Sequence, residues 1–391
     1  MTNGTIKHAA LAFAALLGST ALAGAAAPTG KPILIGLIAG TTGAYGTTGV
    51  QTVQGAQVAV DKLNADGGLL GRPVKLEWYN DNASGTLSGE LFKKLVSEGA
   101  VAIVGSPDTG PVTAQLADRY KVPAIGVVDG GGLTVYPDGP DGKPHPWVFE
   151  FGGNTFAWGG KVAQHALKHC PGGLAVLHDK TTYGLGGFYG IKQVYDKAGK
   201  KLATDQAITE NWSTGATTGL LPEIAAVKKA GADCVVIWLT PQDQAAFMQD
   251  LKTTGDKFTV YGNDETNADA TFVNLAGDAA DGVIGAFLTS TMHPSPELTA
   301  FIDTYKKKFK EEPSQYSETT YDSVMMLAEM IRQTNSTDTS KIQAQFNKTT
   351  DYPGITGKVT FNEQKHVSIS PDDLTLVRYN AKTKTWDDVK D

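Results

Sequence analysis

Cysteine is scarce: the 391 residues contain two, Cys170 and Cys234, far apart, so neither a disulfide-dense scaffold nor a CxxC metal or redox motif is available. Basic charge is also short. The 34 Lys and Arg residues are outnumbered by 41 Asp and Glu, and a net charge of −7 makes nucleic acid an unsuitable partner. Beyond the N-terminus no apolar run approaches the length of a membrane-spanning helix. There is no GxSxG nucleophile elbow and no HExxH helix, and GSPDTGP has no lysine where a phosphate loop needs one. An enzyme reading therefore has no motif to stand on, and neither a cofactor nor a metal is expected.

The first 26 residues are read as a secretory leader. Lys7 and His8 precede the short apolar core AALAFAALL, and ALAGAAA supplies small residues for cleavage after Ala23 or Ala25. A cut after Ala27 would leave Pro28 first. With no cysteine near the cut, a lipoprotein anchor is not expected, and the mature chain is placed in the periplasm as a soluble protein. Its length suits two globular domains, each with its own core. The 45 glycines are spread along the chain and read as turns rather than a low-complexity tail.

Short β-rich runs alternate with amphipathic helices. KPILIGLIAG, a helix over 48–64, PVKLEWYN, a helix over 87–97, VAIVGS, a helix over 111–120 and PAIGVVD form one series. WVFEFGG opens a second, with a helix over 158–169, GLAVLHD, a helix over 188–198, KLATDQAI, a helix over 223–230, DCVVIWLT, a further helix and KFTVYGND. This alternation predicts an α/β fold of two doubly wound lobes, each a parallel sheet covered on both faces. DGVIGAFLTS, two long helices over 297–310 and 317–334, and the strands GITGKVTF and DLTLVRYN complete the chain. Crossovers are expected near Val148, Gly285 and Gly357, giving a three-segment hinge. Lobe 1 then comprises 31–148 and 285–355, and lobe 2 comprises 149–284 and 356–391. Such a hinged cleft is built to close on a ligand.

Ligands of open α/β sheets sit beyond the carboxyl ends of the strands, which selects the loops TTGAYG, GSPDTGP, VVDGGG, HDKTTYGLGG and GNDETN. In the fourth, Gly184, Gly186 and Gly190 resemble a dinucleotide fingerprint with Asp205 downstream, but DKTTY separates them from the strand. His178 and Asp179 could pair as acid and base, yet neighbouring strand residues point to opposite faces, and a structural corner is the simpler reading.

These segments together carry a resemblance. GAQVAVDKLNADGGLLGRPVKL, the VAIVG strand, HDKTTYGLG and YGNDE make the chain similar, over essentially the whole mature sequence, to the leucine/isoleucine/valine-binding family of type I periplasmic binding proteins, the solute receptors of ABC importers. The resemblance implies one small solute in the cleft and a membrane ABC permease as partner, with the chain working as a monomer. It implies that Tyr45 and Tyr183 face the solute from the two lobes and that Asp264 meets a ligand ammonium. It also implies that Asp108, Thr109, Asp129 and Gly130 lie in the loops that receive a ligand carboxylate. HDKTTYGLGG would then present Tyr183 to the cleft while its glycines start a helix.

Some positions depart from the family pattern. Asp108 and Asp129 stand where hydroxyls and backbone N–H groups are usual, and Glu150 stands where an arginine is usual. Two unit charges 4 Å apart interact by about 4 kcal/mol at an effective dielectric near 20, enough to disfavour an anionic solute if these acids face the cleft. The alternative is that each Asp caps the following helix and points away. An amino acid, amide or amine is therefore expected, with an aromatic acid, a sensor partner of a membrane receptor, or an exported enzyme as rival readings. Met325, Met326 and Met330 read as core. Trp158, at a helix start after the first crossover, is a candidate aromatic contact. Finally, Cys170 lies just ahead of the strand GLAVLHD and Cys234 opens the strand CVVIWLT, the first and third strands of lobe 2 and neighbours in flavodoxin-like order, so a disulfide is expected between them. The family's usual bridge positions carry no cysteine here.

Overall fold

The computed structural model describes residues 1, 27–42, 46–105, 110–127, 132–210, 219–266 and 270–389. The first series runs β1 (Ile33–Ala39), α1 (Gly46–Ala65), β2 (Val74–Asn80), α2 (Gly85–Glu98), β3 (Ile103–Gly105), α3 (Gly110–Tyr120), β4 (Ala124–Val127), the one-turn α4 (Gly132–Val135) and β5 (Val148–Phe151). All five strands pair parallel in the order β2-β1-β3-β4-β5. β1 is buried at all but one position, because helices cover both faces of the sheet and leave no solvent side for polar residues.

The second series runs α5 (Thr155–His169), β6 (Leu174–Asp179), α6 (Thr182–Lys197), β7 (Thr204–Ile208), α7 (Leu221–Lys229), β8 (Cys234–Trp238), α8 (Pro241–Thr254), β9 (Thr259–Tyr261), α9 (Thr271–Ala276) and β10 (Ile284–Leu288). The chain then passes through α10 (Thr289–Met292), α11 (Pro296–Phe309), α12 (Gln315–Thr334) and α13 (Thr339–Phe346). The hairpin β11 (Tyr352–Gly354) and β12 (Gly357–Val359) precedes β13 (Leu374–Asn380) and β14 (Thr385–Asp388). The second sheet has the order β14-β13-β10-β9-β8-β6-β7, with β13 and β14 antiparallel to their neighbours and the remaining pairs parallel.

Two expected crossover points move. Val148 opens β5, which pairs with β4 from Ala124↔Val148 to Val127↔Phe151, so the first crossing follows Phe151. Gly285 lies inside β10, which pairs along its length with β13, so the second crossing follows Leu288. The third segment runs beside β5: Glu150 N donates to His366 O at 2.8 Å and Ser368 N donates to Glu150 O at 3.0 Å. In each case backbone pairing, rather than a change in local composition, decides which sheet owns the residue.

A third difference concerns the glycine run. Helix α6 begins at Thr182, capped by the Thr181 side chain, so Tyr183 lies in its first turn and Gly184, Gly186, Gly187 and Gly190 lie within it rather than ahead of it. A Cβ on Gly190 would come 2.5 Å from Phe156 O, and one on Gly187 would come 2.2 Å from the Trp238 ring. Glycine is needed there so that α6 can press against α5 and β8, which offsets its poor helix propensity.

Met326 and Met330 are fully buried in the lobe 1 core on α12, and Met325 packs against it. Among the described residues no helix is long and apolar enough to cross a membrane.

Candidate functional site

Strand order brings the ends of β6 and β9 to one edge of the second sheet, where the Tyr183 hydroxyl donates to Asp264 Oδ1 at 2.8 Å. The two residues are 81 positions apart and both are buried. Burial raises the Asp264 carboxyl to about 6, opposed by the Tyr183 hydrogen bond. The loop carrying Asp264 is held from beneath. Gln244 Nε2 donates to Leu239 O and to Asn263 Oδ1, both at 2.8 Å, and Thr266 Oγ1 donates to Gln244 Oε1 at 2.6 Å. Nothing in the sequence marked Gln244, and Asn263 and Thr266 lay in the selected GNDETN loop without being assigned a role.

His178 and Asp179 do not form an acid–base pair. The His178 Nδ1 is bonded to the backbone oxygen of Asp179 at 2.7 Å, and its ring stacks on Phe188 at 4.8 Å. Asp179 Oδ1 accepts from Thr181 N at 2.6 Å and from the Thr181 hydroxyl, which fixes the entry to α6.

A second acidic group on this edge escaped sequence reading. Glu210, just beyond β7, accepts from Thr240 N at 3.0 Å and from Thr240 Oγ1 at 3.2 Å. Burial raises its carboxyl to about 9, with the nearby Asp243 and Asp179 adding to the shift, so it keeps its proton at neutral pH. The sole cue was a carboxylate two residues past the end of a predicted strand.

On the first lobe, Tyr45, Asp108, Thr109, Asp129 and Gly130 lie outside the described residues. The ends of the strands that precede those loops in sequence form a small cavity lined in part by Gly105, Thr113, Gly126, Thr134 and Glu150. Glu150 is fully buried there, so the acid that departs from the family pattern sits at the carboxyl edge of the first sheet.

Trp158 is only 1% exposed, and its indole N–H donates to Ala286 O at 3.2 Å. Its ring occupies the space where a Cβ on Gly153 would lie, 1.2 Å from one ring carbon. It thus joins the first crossing to β10 and leaves no ring face open to the cleft in this state. Thr291, just after β10, donates to Glu318 Oε2 of α12 at 3.2 Å, tying the second crossing to the first lobe. Burial lifts Glu318 to about 7. Cys170 and Cys234 are joined as a disulfide with a Cα–Cα distance of 5.8 Å, where Leu174 of β6 pairs with Cys234 of β8. This lies at the amino ends of the strands, away from Tyr183 and Asp264.

The arrangement offers hydrogen-bonding and charged groups on the edge of a hinged pair of sheets, the geometry of a solute site. A family model described as periplasmic binding protein matches residues 32–384. A leucine-, isoleucine-, valine-, threonine- and alanine-binding protein of Pseudomonas aeruginosa is 26% identical over 374 residues, covering 93% of this chain and 94% of that protein. A periplasmic binding protein type 1 from Bordetella pertussis has the same fold, with a TM-score of 0.80 at 20% identity, covering 92% of this chain and 100% of that one. So does a branched-chain amino acid transporter substrate-binding protein from Streptococcus pneumoniae in complex with isoleucine, with a TM-score of 0.73 at 20% identity and coverage of 92% and 100%. With two hinged parallel-sheet lobes and a family match running from just before β1 to the start of β14, this chain belongs to the periplasmic binding protein family.

Proposed function

We propose that the chain is an exported solute receptor of an ABC importer that closes its two lobes on one amino acid, or a related amide or amine, and hands it to a membrane permease without chemical change. The observation that carries this reading is the Tyr183–Asp264 pair: a buried carboxyl oriented by a phenol, at the strand edge where a solute ammonium would bind. The similarity to the Pseudomonas and Streptococcus proteins, both binders of branched-chain amino acids by name, supports the amino-acid class. In this reading Tyr45, Asp108, Thr109, Asp129 and Gly130 supply the first-lobe wall, residues 1–26 are removed on export, and the mature chain works in the periplasm as a monomer. Micromolar affinity requires only about −8 kcal/mol, within reach of a few polar contacts and apolar burial in a closed cleft.

The test is a thermal-shift screen of the mature protein over amino acids, amides, amines and aromatic acids. A ligand at 100 times its dissociation constant stabilises by about 2.7 kcal/mol, and amino compounds should give the positive shifts. A screen in which only aromatic carboxylates stabilise the protein would refute the assignment. Consumption of a stabilising compound by the protein would refute the absence of chemistry.

A further inference from the structure

At the edge opposite the solute site, the disulfide has a carboxylate neighbour. The Cys170 and Cys234 sulfurs and a carboxylate oxygen of Asp233 all lie within 4.8 Å of one another, a grouping not repeated elsewhere among the described residues. Asp233 is anchored for such a role: its Oδ2 accepts from Gly172 N at 2.9 Å, while its Oδ1 is buried with no hydrogen-bond partner. An unsatisfied buried carboxylate oxygen is costly in an otherwise well-paired fold, and beside two sulfurs it has the chemistry of a third ligand. Cys170 and Cys234 are themselves buried, whereas Asp233 is half-buried, which leaves an approach for a small ion from its side.

We propose that Cys170, Cys234 and Asp233 form a redox-gated site for a thiophilic divalent cation of the zinc class, closed while the disulfide stands and opened when a thiol or phosphine reductant breaks it. Reduction adds two electrons and two protons across the Cys170–Cys234 bond and gives two thiols, while two equivalents of a thiol reductant become a disulfide and supply the protons, or a phosphine becomes its oxide with one water supplying the oxygen and both protons. The cation then displaces both thiol protons to solvent and is held by two thiolates and Asp233 Oδ1, with a water in the fourth position. Two thiolates on one tetrahedral zinc, each about 2.3 Å from the metal, lie roughly 3.8 Å apart. Backbones already 5.8 Å apart at Cα can supply that spacing through side-chain rotation alone. Soft sulfur ligands with one carboxylate favour zinc or cobalt(II) over magnesium or calcium.

The experiment uses the mature protein, reduced with a phosphine under inert gas and titrated with cobalt(II) alone, then with zinc in competition. The expected result is one equivalent bound, with a near-ultraviolet thiolate-to-cobalt charge-transfer band that zinc abolishes, and no band in the unreduced protein. Asp233→Asn should weaken the cation by more than the roughly 10- to 100-fold that losing an outer-shell partner costs. Near-ultraviolet circular dichroism checks that the reduced chain remains folded. A folded reduced chain without the band would overturn the proposal, as would equal binding by the disulfide form or unchanged affinity in Asp233→Asn. Unfolding on reduction would overturn it too, because the site would never be assembled.

Discussion

Replacing Asp264 with Asn should strengthen the fold while weakening the site. In the folded chain, burial moves this carboxyl from its ordinary 3.8 to about 6, so ionising it in place costs more than ionising it in the unfolded chain. A folded value above the unfolded one means that the stability contribution is full below about pH 4 and is lost as pH rises to about 6. Above that, the ionised protein carries a penalty of about 3 kcal/mol, an order-of-magnitude figure from 1.36 kcal/mol for each tenfold change in the proton equilibrium. Asn has nearly the same shape, its oxygen still accepts from the Tyr183 hydroxyl, and it cannot ionise. Unliganded Asp264→Asn should therefore melt several degrees higher than the parent at pH 8 and about equally at pH 4. For an amine or amino-acid ligand the same change removes one partner of a buried charge pair, at a cost of about 3–5 kcal/mol, or roughly 100-fold or more in affinity. Denaturant melts at both pH values and calorimetric titration at pH 8 read the two halves. A variant less stable than the parent at pH 8 would refute the electrostatic argument, and retained affinity would refute the placement of a ligand cation at Asp264.

Further outcomes follow from other residues. Glu210→Gln should gain stability relative to the parent as pH rises from about 4.5 toward 9, because the parent loses stability across that window and the amide does not; a pH-independent difference in urea melts would contradict the raised value. Gly153→Ala puts a methyl 1.2 Å from a Trp158 ring carbon, so the indole must shift and its bond to Ala286 O is threatened. A loss of more than about 2 kcal/mol is expected, with altered tryptophan fluorescence, and an unchanged melt would show that Trp158 does not hold the crossings together. The unreduced mature protein should weigh two hydrogens less than its two-thiol form. Cleaving a bond that spans 64 positions should cost roughly 4 kcal/mol in the chain-entropy model, and two freely alkylated thiols in unfolded, unreduced protein would exclude the bond.

The two lobes were legible because strands buried on both faces write themselves as continuous apolar runs: β6 and β8 are buried at every position and needed no partner to be recognised. Ownership of a strand was less legible. WVFEFGG has the composition of either lobe, and only its pairing with β4 assigns it to the first. The site divides in the same way. The rule that ligands bind beyond the strand ends selected the two loops that carry Tyr183 and Asp264, 81 residues apart, while the choice of those two residues within the loops came from the family resemblance. Glycine misled at α6, since local propensity places GLGG in a loop. The Cβ space of Gly187 and Gly190 is taken by Trp238 and Phe156, which are distant in sequence and enter only through packing.

Glu210 and Asp243 are the sharper case. Read separately, one is a polar residue after a strand and the other an ordinary acid in the first turn of a helix, which the helix dipole favours. Burial first, and then the proximity of Asp243, turns Glu210 into a neutral acid at physiological pH. That property belongs to the pair and to the dryness around it, so it could not be read from either residue alone, whereas a charge facing water would have behaved as composition suggests. The same reasoning explains why the sequence marked Asp264 as an acid beyond a strand end but not as one that is costly to ionise. Its chemistry is local, but the cost of ionising it is set by the burial that the folded lobe imposes, which no reading of the residue by itself supplies.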